Sequence, residues 1–166
     1  MGTISKTIAS SGGDYTSLSL AEASIPGSGT DDYVFTYIEA LSDTTRVACS
    51  FGGTNTMTVD VQEAYRAKGA ESGSHAELVY DGATNLPAID FAAGVATIRN
   101  LRIARTGAVG NLDSLMAHLG ASPATLDRCT LVGRGTGDVA VFYESPSDVA
   151  GILTVTGCFI ILSGLT

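Results

Sequence analysis

Three segments of this chain align on one another without a gap, and this internal repeat limits the possible folds more than any other feature. They span residues 96–103, 124–131 and 153–160. Ile98 and Leu126 are 28 positions apart, and Leu126 and Val155 are 29 apart. In each copy an aliphatic residue (Ile98, Leu126, Val155) is followed two positions later by Asn100, Arg128 or Gly157. A second alternating pair comes next: Leu101 and Ile103, Cys129 and Leu131, or Cys158 and Ile160. Alternate residues of a strand share a face, so the change of parity between the two sets demands a bend. Asn and Gly most readily take the left-handed backbone that such a bend requires. Arg128 is expected to sit there under mild strain.

A second strand lies upstream of the first two copies. Residues 88–91 precede residues 116–119 by 28 positions, with Ile89 and Phe91, then Ala117 and Leu119, expected to face inward. Residues 139–143 are the expected counterpart in the third copy, displaced by an altered loop through Pro146. Earlier, less regular copies are expected at 33–41, 57–61 and 76–80. Several short strands recurring at one period describe an all-β parallel solenoid, with successive coils about 4.8 Å apart. The chain is read as a single domain over 1–166, with an N-terminal arm and capping helix at 1–27 and coils from 33 to 166. The helix is expected over 15–25, with Asp14 as N-cap, Leu18, Ala21, Glu22 and Ile25 on one face, and Pro26-Gly27 as the stop.

Composition agrees with this architecture. Apolar residues make up 45% of the chain and charged residues 16%, with 20 glycines, which suits short strands joined by turns. The formal net charge of −8, with its few basic residues scattered, disfavours nucleic acid and anionic membrane surfaces as partners. The apolar stretch 152–165 is too short to span a bilayer. The first 13 residues carry no apolar signal core, and Lys6 spoils the myristoylation pattern begun by Met1-Gly2. The three cysteines, Cys49, Cys129 and Cys158, show no CxxC spacing and fit a reducing compartment.

Gly12-Gly13-Asp14-Tyr15-Thr16-Ser17-Leu18, followed by a short helix, resembles the opening of pectin-lyase-like right-handed β-helix domains in phage structural proteins. The stretch 96–103 resembles the strand-turn-strand of the same superfamily. The resemblance implies a right-handed parallel β-helix. It also implies a virion structural protein, foremost a capsid decoration or cement protein that bridges capsomers. Such a protein is made in the host cytoplasm and carried on the capsid surface. Its expected partners are other copies of itself, as a homotrimer, and the major capsid protein. A tail-fibre, tailspike or baseplate module is one alternative, and a polysaccharide-binding or -cleaving domain another, since one fold hosts many functions.

No catalytic, metal or cofactor set emerges from the sequence, and the chain is expected not to be an enzyme. Asp31-Asp32 lies in an expected turn, and Asp60, Asp81, Asp90 and Asp127 share no position of the repeat. The glycine-rich stretch 133–137 lacks the Lys-Ser/Thr of a phosphate-binding loop. Asp90 and His118 are expected to stack outward on neighbouring coils, as a surface ion pair, as two ligands of a metal site completed by a third, or as a pH switch. Cys129 and Cys158 occupy equivalent inward positions, where burial would make both thiols inert. Arg99, Arg102 and Arg105 form an expected basic strip, which serves either as a docking contact or as charge balance against Asp90 and Asp127. With Ile161 and Leu165 on the open C-terminal edge, the strip makes up the candidate assembly surface.

Overall fold

The computed structural model describes residues 1–69, 73–81, 86–106, 113–118, 122–134, 139–144 and 151–163 of the chain. Most described residues lie in short strands. These are β1 (Thr3–Ile8), β2 (Asp32–Tyr37), β3 (Ser42–Asp43), β4 (Val47–Ser50), β5 (Thr56–Val61), β6 (Glu77–Tyr80), β7 (Ile89–Ala93), β8 (Val95–Arg99), β9 (Arg102–Arg105), β10 (Asp113–His118), β11 (Ala124–Asp127), β12 (Thr130–Arg134), β13 (Val139–Glu144), β14 (Leu153–Thr156) and β15 (Phe159–Ser163). A single α-helix, α1 (Leu18–Ala23), and a 3-10 turn at Glu63–Tyr65 complete the described elements.

The strands form three sheets, and every strand pair among the described residues is parallel. The first sheet runs β1-β2-β5-β8-β11-β14, the second β13-β10-β7-β4, and the third β15-β12-β9-β6-β3. The expected repeat is reproduced at its most regular part. Ile98 pairs with Leu126 and Leu126 with Val155, while Ile103 pairs with Leu131 and Leu131 with Ile160. Towards the N-terminus the spacing changes, because Asp32 pairs with Thr56 and Thr56 with Val95. The longer interval accommodates the 3-10 turn and the segment after it.

The alternation of β2 and β5 explains their pairing. Tyr33, Phe35 and Tyr37 face the interior beside Met57, Val59 and Val61, and all six are buried. This matches a half-buried strand with period two. One apolar cluster joins these residues to Ile98, Leu101, Ile103, Leu126, Cys129 and Leu131. The bends between β8 and β9, β11 and β12, and β14 and β15 carry the left-handed residues that the parity switch demands. Their φ angles are 58° at Asn100, 54° at Arg128 and 61° at Gly157.

The N-terminal segment differs from its expected role as an arm. Thr3–Ile8 is a full strand paired with β2 from Thr3↔Asp32 to Ile8↔Tyr37. Asp14 is not the helix cap either. Its carboxylate accepts the Thr7 amide at 2.8 Å and the Thr7 hydroxyl at 3.0 Å, and pairs with Lys6 at 3.1 Å. The helix is shorter than expected and begins after Ser17, whose hydroxyl oxygen accepts from the Leu20 amide at 3.2 Å. The expected inward face is correct, with Leu18, Ala21, Glu22 and Ile25 all buried.

Glu22 sits in this apolar setting and accepts the Ser50 amide at 2.8 Å. Burial raises its carboxyl above the ordinary value, and the Ser50 hydrogen bond offsets only part of that effect. A carboxyl whose folded pKa is raised favours folding below its unfolded pKa, and loses that contribution as pH rises through the folded value. Glu22→Gln keeps an acceptor for Ser50 but cannot ionise. The variant is expected to gain stability relative to the native chain at neutral pH, with the gain shrinking towards about pH 4. Urea midpoints at the two pH values test this, and a gain independent of pH would refute it.

Candidate functional site

The residues expected to form a basic strip do not form one. Arg99 is exposed and lies 4.0 Å from Asp127. Arg102 is buried because the segment following the 3-10 turn lies over the outer face of the third sheet. There the Gly69 amide donates to Thr130 Oγ1 at 3.0 Å, and Ala67 and His75 are themselves buried. The Arg102 guanidinium pairs with Glu77, whose other neighbour is His75 at 3.4 Å. Arg105 shares the face of Ile103 and is 1% exposed, with its guanidinium 5.2 Å from the centre of the Tyr80 ring. The buried cation thereby meets the ring's negative face. A candidate surface of three arginines thus reduces to Arg99. Ile161 is half-buried on β15, and Leu165 falls outside the described residues.

The Asp90–His118 pair is also corrected. Asp90 is 5% exposed, and its carboxylate binds Arg46 at 2.7 Å, an ion pair spanning β7 and the entry to β4. The register places Asp90 beside Ala117, and His118 beside Glu144. The interval between β7 and β10 is one residue shorter than the 28 of the neighbouring sheet, so the expected stacking is lost. Among the described residues, no three His, Cys, Asp or Glu side chains cluster as a metal site. No described helix is long and apolar enough to cross a membrane.

Two features stand out at the C-terminal end of the sheets. The first is a change in exposure along equivalent positions. Leu126 and Leu131 are fully buried, whereas their neighbours Val155 and Ile160 are 39% and 50% exposed. Leu162 and Ile152 add to this apolar surface, while the exposed Phe159 stands on the opposite side of β15, beside Gly69. The second feature is a cleft of about 350 Å³ that follows the column of left-handed residues, lined by Arg66, Lys68, Asn100, Arg128, Gly157 and Phe159. Asp60 anchors it by accepting from Asn100 Nδ2 at 2.6 Å and lying 3.9 Å from Arg66. Arg128 is held by Asp127 at 2.9 Å. The cleft therefore offers cationic N–H donors beside one exposed aromatic ring, a combination suited to polar, ring-shaped ligands. The repeat alone marks Arg128 as part of the column. Arg66 and Lys68 carry no such signal, because they arrive on an irregular segment that has no counterpart in the repeat.

The two cysteines expected to be equally inert differ. The Cys129 thiol is fully buried, and the adjoining Cys158 sulfur together with that burial push it well above the usual thiol range. Cys158 is half-exposed. The Cys129 thiol beside it, and the Cys129 amide donating to its Sγ at 3.3 Å, hold it below the usual thiol range. Cys49 is buried and raised by that burial.

Comparison with known proteins finds no matching family model, no matching curated protein and no matching solved structure.

Proposed function

We propose that this chain is a right-handed parallel β-helix that serves as a structural subunit of a bacteriophage virion, foremost as a capsid decoration protein without catalytic activity. Three all-parallel sheets, with successive strands from β2 onward assigned to different sheets in turn, support the helical winding. The right-handed sense follows the general preference of parallel crossovers. The Gly12–Leu18 resemblance supports the virion assignment.

The observation that carries the assembly reading is the exposed apolar face of β14 and β15. A strand edge with apolar side chains invites pairing with a further chain. The occupant is another copy of this protein, in a closed ring of three that then contacts the major capsid protein. Covering the exposed parts of Val155, Ile160 and Leu162 contributes on the order of 1 kcal/mol per side chain. Such a clamp stabilises assembled capsomers by mass action, because it binds the assembled state alone.

Light scattering is expected to give the purified chain three times its monomer mass. Ile160→Glu combined with Leu162→Glu is expected to return it to monomer while leaving its circular dichroism intact. A well-folded native monomer at micromolar concentration would overturn the assembly reading. A second reading, a polysaccharide-binding module, rests on the cleft that brings Phe159 beside Arg66, Lys68 and Arg128. Glycan binding that is lost in Phe159→Ala and Arg128→Ala, but kept in the Ile160→Glu/Leu162→Glu chain, would favour it.

A further inference from the structure

Cys129 and Cys158 sit side by side at equivalent bends, immediately before the paired strands β12 and β15. The backbone is hydrogen-bonded on both flanks: the Arg128 amide to the Thr156 carbonyl at 2.8 Å, and the Phe159 amide to the Cys129 carbonyl at 2.9 Å. Neighbouring strands lie about 4.8 Å apart, which falls inside the Cα separation of roughly 4.4–6.8 Å that a disulfide spans. Cys158 Sγ leans over the Cys129 backbone, 3.3 Å from its amide nitrogen and 3.6 Å from the Leu126 carbonyl. Cys129 Sγ leans one strand further back, 3.4 Å from the Ile98 carbonyl. Rotation of the Cys129 side chain away from Ile98 brings its sulfur towards Cys158. The two thiols differ in access, since Cys129 is fully buried and Cys158 is half-exposed.

We propose that Cys158 and Cys129 form a peroxide-responsive pair, in which Cys158 is the nucleophile and Cys129 resolves it into a disulfide. The Cys158 thiolate attacks one oxygen of hydrogen peroxide. The O–O bond breaks, hydroxide leaves and takes a proton to become water, and Cys158 becomes a sulfenic acid. The Cys129 sulfur then attacks the Cys158 sulfur, its proton goes to the departing hydroxyl, and a second water leaves as the S–S bond forms. Two thiols and one peroxide become one disulfide and two waters. The donors around Cys158 favour its thiolate, the reactive form, while Cys129 stays protonated and shielded until the sulfenic acid is beside it. The product fastens β15 to β12 at the exposed end of the sheets. This chemistry belongs to the chain whose C-terminal face is uncovered, and it does not depend on the assembly reading.

The test is oxidation of the folded protein by hydrogen peroxide, followed by intact mass and peptide mapping. It is run on the native chain and on Ile160→Glu/Leu162→Glu, which keeps the face open. The expected product in the open chain is the loss of two hydrogens, with the Cys129 and Cys158 peptides linked. In Cys129→Ala the sulfenic acid persists on Cys158 and is captured by dimedone. In Cys158→Ala neither remaining cysteine is oxidised on the same timescale. Iodoacetamide is expected to label Cys158 at least ~10-fold faster than Cys49 or Cys129 at neutral pH. Equal labelling of Cys129 and Cys158, or Cys158 passing to sulfinic acid without the linked peptide in the open chain, would overturn the proposal. If the native chain resists oxidation while the open chain forms the disulfide, both this proposal and the covered face are supported.

Discussion

Replacing Gly94 by alanine is expected to lower the stability of the fold by about 2–5 kcal/mol, read as a drop in the urea midpoint at unchanged slope. Gly94 turns the chain from β7 into β8 with φ near 87°. A left-handed backbone costs a residue with a Cβ roughly 1–2 kcal/mol. The second contribution is steric. An added Cβ would lie 2.4 Å from the Phe51 ring, which is itself buried between neighbouring elements. Overpacking of this kind costs typically about 1–3 kcal/mol. Gly12 separates the two contributions, because its φ is 76° but a Cβ added there would meet nothing within 4 Å. Gly12→Ala should therefore lose only the backbone part, about 1 kcal/mol. Gly94→Ala combined with Phe51→Leu should cost less than the two changes summed, because each relieves the other's crowding. Equal losses at Gly12 and Gly94 would show that the ring contact carries no energy.

Asp43→Ala is the second large effect, expected at about 3–5 kcal/mol. The Asp43 carboxylate is buried on β3, where it accepts the Leu18 amide at 2.5 Å, the Thr45 amide at 3.0 Å and the Tyr37 hydroxyl at 3.3 Å. Leu18 is the first residue of α1, so this carboxylate ties the start of the helix to the sheets. Burial and the Asp43 charge raise the Tyr37 hydroxyl well above its ordinary pKa, which keeps it a donor. Truncation leaves a buried amide and a buried hydroxyl without their acceptor, and each such orphan costs about 1–3 kcal/mol. Removing one orphan should recover part of the loss, so Asp43→Ala/Tyr37→Phe is expected to be more stable than Asp43→Ala alone. Additive losses in the double variant would mean that the Tyr37 hydroxyl finds another partner.

The legibility of this fold follows its regularity. The intervals around Ile98, Leu126 and Val155 are readable because identical parity recurs and because Asn100 and Gly157 advertise their backbone conformation. Asp43, by contrast, lies on a two-residue strand with no periodic signal, and its role depends on a helix 25 residues away. The arginines mislead for a related reason. Alternation alone says which side of a strand Arg102 takes, but not that the segment bearing Ala67 and Gly69 covers that side. Arg105 shows the opposite failure, since its charge argues for the surface while its position beside Ile103 puts it inside, against Tyr80. Asp90 and His118 align only if the 28-residue interval of one sheet is carried onto another whose interval is one shorter. Asp14 is an ordinary helix-capping residue by type, yet Thr7 offers its carboxylate an amide and a hydroxyl, and Ser17 takes the cap instead. The cleft is invisible in the repeat because part of its lining comes from an insertion between strands.

Hydrogen bonds between the described strands run in one direction through all three sheets, since strands pair with their counterparts in the preceding or following interval. Force has two very different routes through such a lattice. A pull applied along the direction of stacking meets the strand-to-strand bonds head-on and can open them one interval at a time. A pull along the strands loads many of the same bonds in shear, so they must yield together. The molecule is expected to be mechanically soft along one axis and stiff across it, and the Cys129–Cys158 link would brace the soft axis between the intervals of β12 and β15.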